Sequence, residues 1–175
     1  MAGIIRSYGL FWSADNIFWG KGTQPGALLG VPARAKTSHP IDFRYQVGIY
    51  ILYEGHHMIY VGQAGSKKQR LFGRLKRHRK DMLASRWDHF SWFGLQYVMQ
   101  NGILSTKKEK SGGSVSSILN QIEAVLIAGA EPNLNKQGGR FGRETKRYLQ
   151  VRDERLGLTH EQMIEELWKQ QIMLT

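Results

Sequence analysis

Two tyrosines, Tyr50 and Tyr60, stand in the stretch VGIYILYEGHHMIYVG at positions 47–62, in two apolar runs separated by a short polar break. Each run also carries a glycine, Gly48 in the first and Gly62 in the second. If the runs pair as a hairpin around a three-residue loop of Glu54, Gly55 and His56, Tyr53 faces His57 and Tyr50 lies opposite Tyr60, both phenols on one face. A loop one residue shorter or longer slips the register and sends the phenols to opposite faces. Further on, Arg74 and His78 are four residues apart. On a helix that spacing sets a permanent cation beside a titratable imidazole. Glu123, the single acid between Lys110 and Glu131, falls at the edge of an apolar helical stripe. A carboxylate there needs a cation or a metal to offset its burial, which makes Glu123 the ligand to test.

The elements that position these groups follow from periodicity. Leu71, Leu75, His78 and Met82 recur at helical spacing and predict a helix from about Gln69 to Ser85. Eight cations crowd it and its approach: Lys67, Lys68, Arg70, Arg74, Lys76, Arg77, Arg79 and Lys80, with no acid before Asp81. The aromatic run Trp87 to Met99 predicts a buried strand beside the hairpin. Within it Asp88 and His89 point to opposite faces and make a poor dyad. The polar segment from Asn101 to Ser114 predicts a mobile loop, followed by a helix from about Ser114 to Ala130 that buries Ile118, Leu119, Ile122, Val125 and Leu126. The stretch EPNLNKQGGRFG ends that helix and carries Lys136, Arg140 and, just beyond it, Arg143 as a basic strip. Thr159 with Gln162 forms a capping box, and Leu158 with Met163 a hydrophobic staple, for a last helix. Its apolar face, Met163, Ile164, Leu167, Trp168 and Ile172, suits core packing or a dimer contact.

Composition bounds the partners. Lys and Arg total 25 against 14 Asp and Glu, a formal net charge of +11 that favours a polyanion. No apolar run approaches the ~18 residues of a membrane span, and the N-terminus lacks the charged-then-apolar pattern of a secretory signal. With no cysteine there is neither disulfide nor thiolate site, and a cytoplasmic location is expected. Residues 1–46, rich in Gly, Pro and aromatics, predict short strands and loops packed on the core, or an arm around nucleic acid or a second subunit.

In order and spacing these motifs, Gly48-Ile49-Tyr50 and Tyr60-Val61-Gly62, Arg74 with His78, Glu123, and Pro132 to Asn135, resemble the GIY-YIG nuclease family. The resemblance covers residues 47–136, with Val61 where the family's name motif has Ile. It implies an α/β (α+β) core with a small three-stranded mixed or antiparallel sheet flanked by helices, carrying an N-terminal extension at 1–46 and a basic loop and helix at 137–175. It also implies a magnesium- or manganese-dependent endonuclease that hydrolyses DNA with an activated water. In that scheme Tyr50 takes or orients the proton of the water and His78 relays it. Tyr60 bonds the scissile phosphate or the water, Arg74 holds the phosphate, Glu123 binds the metal, and Asn135, or its neighbour Asn133, braces the site. The basic residues Lys67, Lys68, Arg70, Lys76, Arg77, Arg79, Lys136, Arg140 and Arg143 then serve as nucleic-acid contacts. The architecture is most similar to restriction or defence enzymes, with a repair, recombination or structure-specific nuclease as the alternative. A binding module without turnover is the alternative of another class. RNA is the second candidate substrate, a membrane is not expected as a partner, and a homodimer suits double-strand cleavage.

Overall fold

The computed structural model describes residues 4–34, 39–65, 69–105, 115–130, 141 and 144–173. Among the described residues nine strands and three α-helices run in the order β1 (Ser7–Ser13), β2 (Gly20–Lys21), β3 (Gln24–Pro25), β4 (Leu29–Pro32), β5 (Ile41–Asp42), β6 (Gly48–Glu54), β7 (His57–Ala64), α1 (Leu71–His78), β8 (His89–Gly94), α2 (Val115–Ala130), β9 (Lys146–Gln150) and α3 (His160–Met173). The main sheet has seven strands in the order β5-β4-β9-β1-β8-β6-β7, and β2 with β3 makes a separate ribbon. All its pairings are antiparallel except β1 with β9, so it is mixed.

The α/β class therefore stands, but a three-stranded sheet does not. Strands β6, β7 and β8 come from the middle of the chain, and the flanks supply the other four. What hid β1 is a bulge. Gly9 pairs with Trp92 and Trp12 with Phe90, so one residue is in excess between them, and Phe11 takes φ 49°. The extra residue breaks the alternation that marks a strand. The Phe11 N–H it releases from the ladder is taken up by the Ser91 hydroxyl at 3.0 Å.

The sheet is covered on both faces. On one, Tyr50, Leu52, Phe90 and Trp92 pack with Leu71 and Leu75 of α1 and with Trp12, Phe43 and Tyr148. On the other, Ile51, Tyr53 and Phe93 pack with Ile5 and Val125 of α2. The aromatic run around β8 is core as expected, with Phe90, Trp92 and Phe93 wholly buried.

Helix α1 stops at His78, short of the predicted Ser85. Met82 is 87% exposed rather than part of the buried face. The crowded cations repel one another along the helix. Asp81 then offers the chain a competing turn, because its Oδ1 accepts the Leu83 N–H at 2.9 Å. The N-terminal segment clamps this short helix. Trp19 stacks on Phe72 of α1 at 5.6 Å between ring centres and meets Trp87 edge-on. Gly26 lies so close beneath Phe72 that a Cβ there would come within 2.2 Å of its ring.

Helix α2 keeps its predicted span and buries Val125 as expected, but the rest of its inward face differs from the predicted stripe, of which the Ile118 and Leu119 side chains lie outside the described residues. Gln121, Ala124 and Val125 are buried, whereas Ile122 and Leu126 are 52% and 57% exposed. Small residues let α2 approach the sheet: at Gly129 a Cβ would sit 2.3 Å from Ile51 Cδ1. The capping box of α3 forms as expected, with Gln162 N–H donating to Thr159 Oγ1 at 3.2 Å and Thr159 N–H to Gln162 Oε1 at 2.9 Å. Of its apolar face Met163, Ile164 and Trp168 are exposed rather than part of the core, and the Leu167 and Ile172 side chains lie outside the described residues. Among the described residues no helix is long and apolar enough to cross a membrane.

Candidate active site

The hairpin that carries the two tyrosines is built differently from the sequence expectation. Its turn has two residues, Gly55 and His56, because Glu54 pairs with His57 and Tyr53 with Met58. A turn of that length alone would put the phenols on opposite faces. One extra residue, Ile59, follows before Leu52 pairs with Tyr60 and Tyr50 with Gly62. This bulge restores the parity, so Tyr60, opposite Leu52, shares its face with Tyr50 two positions along. The tyrosines are thus diagonal neighbours and not a directly opposed pair.

The two motif glycines have steric reasons. At Gly62 a Cβ would lie 2.3 Å from Tyr50 Cζ and Oη and 2.8 Å from Tyr60 Cε1, so the Tyr50 ring occupies the space a side chain would need. At Gly48 a Cβ would come within 1.9 Å of the Phe93 carbonyl oxygen on the neighbouring strand. Asp88 holds the turn itself, its carboxylate accepting the Gly55 N–H at 3.0 and 3.1 Å. Asp88 does reach His89, at 3.0 Å, contrary to the opposite-face expectation, because it precedes β8 and is free of the strand's alternation.

Helix α1 then brings Arg74 and His78 onto the tyrosines. Its first two N–H groups, from Leu71 and Phe72, donate to the carbonyls of Gln46 and Arg44, which fixes the helix against the start of β6. Tyr50 Oη is 2.8 Å from His78 Nε2 and accepts a hydrogen bond from Arg74 Nε at 3.2 Å. Arg74 Nη2 reaches Tyr60 Oη at 3.5 Å, and Nη1 donates to Gln69 Oε1 at 3.2 Å. The Tyr60 ring packs on His78 with centres 4.8 Å apart. On the far side of the imidazole, His78 Nδ1 is 2.8 Å from Asp81 Oδ2.

Four of the six expected site residues therefore meet. Tyr50 is fully buried and His78 is 4% exposed, while Tyr60 and Arg74 are half-buried and form the outer rim. Burial pushes the Tyr50 phenol up to about 12, against the opposing pull of the Arg74 hydrogen bond and charge. The Arg74 guanidinium is raised in turn, first by its hydrogen bond to Tyr50. At neutral pH the cluster is thus a phenol held between a fixed cation and an imidazole.

This has a measurable consequence. The folded Tyr50 keeps its proton above the ordinary 10.0 at which the unfolded chain loses it. Its stabilising effect is complete below that pH and is lost as the pH rises toward the folded value. Tyr148, raised by burial, acts in the same direction. Denaturant titrations of wild type and Tyr50→Phe should show the stability gap between them narrowing by about 1 kcal/mol from about pH 9 to about pH 11. A constant gap would mean that Tyr50 ionises freely.

The remaining expected residues are placed less completely. Glu123 lies on α2, whose described contacts go to the opposite face of the sheet: Gln121 Oε1 accepts the Ile5 N–H at 2.7 Å, and Tyr53 Oη donates to the Gly129 carbonyl at 2.6 Å. The Glu123 side chain is outside the described residues, as are Asn133, Asn135, Lys67, Lys68, Lys136, Arg140 and Arg143. Arg70, Lys76, Arg77 and Arg79 are exposed. Arg79 lies over the Trp19 ring at 4.7 Å.

Among the described residues no group of three His, Cys, Asp or Glu side chains could hold a metal. The four clustered residues do not fit one themselves: both imidazole nitrogens have partners, and a guanidinium has no lone pair to give.

Sequence reasoning missed Asp81 and Gln69. Asp81 follows His78 by three residues, a spacing that pairs side chains on a helix, and that was the available signal. Gln69 gave none. No family model, curated protein or solved structure matches the chain.

Proposed function

We propose that this chain is a metal-dependent endonuclease of the GIY-YIG type that hydrolyses DNA phosphodiester bonds with water, in a restriction or defence role. The observation that carries the reading is the convergence of Tyr50, Tyr60, Arg74 and His78, drawn from three elements, into one hydrogen-bonded cluster. A basic helix lies directly behind that rim, with Arg70, Lys76, Arg77 and Arg79 exposed for a polyanion.

In this reading the half-buried rim meets the substrate first. Arg74, a planar donor fork, takes the phosphate oxygens and offsets the charge that develops on them. Tyr60 donates to the same phosphate or positions the attacking water. Tyr50 passes its proton to His78 as it accepts one from the water, which spares the site a free phenolate at neutral pH. The resemblance assigns a magnesium or manganese ion to Glu123, whose helix makes its described contacts on the sheet face opposite Tyr50; a hard cation bound there would supply further charge stabilisation.

The test is cleavage of a supercoiled plasmid with magnesium by wild type and Glu123→Ala. Wild type is expected to cut, and the variant, which lacks the proposed carboxylate ligand, to lose cleavage at magnesium concentrations that saturate wild type. A wild-type protein that retards DNA in a gel but cuts no duplex, single-stranded or branched substrate would make the chain a binding module instead.

A further inference from the structure

The cluster contains a carboxylate to which the reading above gives no role. Asp81 Oδ2 is 2.8 Å from His78 Nδ1, and its second oxygen is held by the Leu83 N–H at 2.9 Å. It is 30% exposed on the side chain, while the imidazole it touches is 5% exposed. We propose that Asp81 is the positioning residue of this site, fixing the His78 proton on Nδ1 so that Nε2 stays bare to accept from Tyr50.

The assignment follows from counting donors. Partial burial tends to raise the Asp81 carboxyl, but the Leu83 N–H and His78 hydrogen bonds outweigh it and hold it below the usual carboxylate range. An ionised carboxylate only accepts, so the hydrogen between Asp81 and His78 belongs to Nδ1. A neutral imidazole protonated on Nδ1 presents a lone pair at Nε2. At the other end Arg74 only donates, so Tyr50 Oη accepts from its Nε and must aim its own hydrogen elsewhere. Nε2 lies 2.8 Å away in that direction. The opposite tautomer would set two acceptors against each other at the Asp81 contact. Every hydrogen in the chain Asp81–His78–Tyr50–Arg74 thus has one direction.

This proposal rests on reading the site as a proton relay, and the atoms balance along it. As water gives a proton to Tyr50 Oη, the Tyr50 O–H bond breaks and its proton forms a bond to His78 Nε2. The imidazolium so formed lies beside the Asp81 carboxylate and later releases the proton to solvent. Asp81 touches neither water nor phosphate and acts through His78 alone.

The experiment combines imidazole nitrogen shifts from NMR with plasmid cleavage, on wild type, Asp81→Asn and Asp81→Glu, with thermal melting as a fold check. Wild type is expected to show His78 protonated at Nδ1 and pyridine-like at Nε2. In Asp81→Asn the amide can place its N–H groups against Nδ1, so the tautomer reverses and kcat falls about 10–100-fold with KM little changed. Asp81→Glu, which restores the carboxylate, recovers part of the loss. Wild-type His78 protonated at Nε2 would overturn the proposal, as would Asp81→Asn with the tautomer and kcat of wild type. A protein that cuts nothing, yet shows the Nδ1 proton and its reversal in Asp81→Asn, would remove the nuclease reading and leave the Asp81 assignment standing.

Discussion

Replacing Tyr50 with Phe is expected to lower the rate of DNA cleavage by about 10²–10⁴-fold while leaving affinity for uncut DNA close to wild type. The ring stays where Gly62 admits it, so the packing of this fully buried side chain survives. What disappears is one oxygen that accepts from Arg74 Nε and lies 2.8 Å from His78 Nε2. Without it the imidazole has no route to the water, and the guanidinium loses one of the three groups that aim it. The half-buried Tyr60 and the exposed cations of α1 remain, and in the proposed reading these supply the contacts that hold DNA before chemistry. Single-turnover rates and a binding isotherm on uncut duplex separate the two effects. A variant that cuts at the wild-type rate would remove Tyr50 from the proton path, and one that loses binding in proportion would make it a binding residue.

Adding a single methyl group should do comparable damage at Gly62. In Gly62→Ala the new Cβ would lie 2.3 Å from Tyr50 Cζ and Oη and 2.8 Å from Tyr60 Cε1, far inside ordinary contact. The half-buried Tyr60 ring can give way toward solvent, but the Tyr50 ring cannot yield cheaply. Tyr50 is enclosed on every side and tied to two partners, and its movement breaks the bonds to Arg74 and His78. A displacement near 1 Å at a reacting group costs on the order of 10²-fold in rate. Overpacking of this kind costs about 1–3 kcal/mol of stability. A double-mutant cycle identifies the cause: in a Tyr50→Ala background, which empties the space, Gly62→Ala should cost little stability. Equal costs in both backgrounds would show that the glycine is needed for some other reason.

What could be read from the residues was local. The Leu71, Leu75 and His78 face of α1 is buried as its spacing dictates, the Thr159–Gln162 box closes the start of α3, and the runs around Tyr50 and Tyr60 do pair. Each depends on neighbours within a turn or a hairpin, where backbone geometry leaves few choices. The shared face of the tyrosines was foreseen, but by a route the chain does not take. A two-residue turn and a bulge at Ile59 each shift parity by one, and together they cancel. Hydrophobic alternation cannot distinguish that from a three-residue loop without either.

The rest was settled by partners far away in the chain. Strand β1 pairs in parallel with β9, Ser7 beside Lys146, and nothing in either short segment announces the other. Helix α2 buries Val125 of its expected stripe, yet beside it presents Gln121, Ala124 and Gly129 to the sheet in place of Ile122 and Leu126. Backbone approach at Gly129, and a glutamine that satisfies the Ile5 N–H, outweighed the area of Ile122 and Leu126. Asp81 looked like the end of a basic run until the truncated helix folded it back onto His78. Residue types and their spacing marked the side chains able to do chemistry and the short elements that carry them, because spacing and local sterics act within a few residues. That four of them touch, that a carboxylate stands behind the imidazole, and that the flanks complete the sheet came from the folded chain. Those outcomes depend on contacts between distant segments, which form only when the whole core closes.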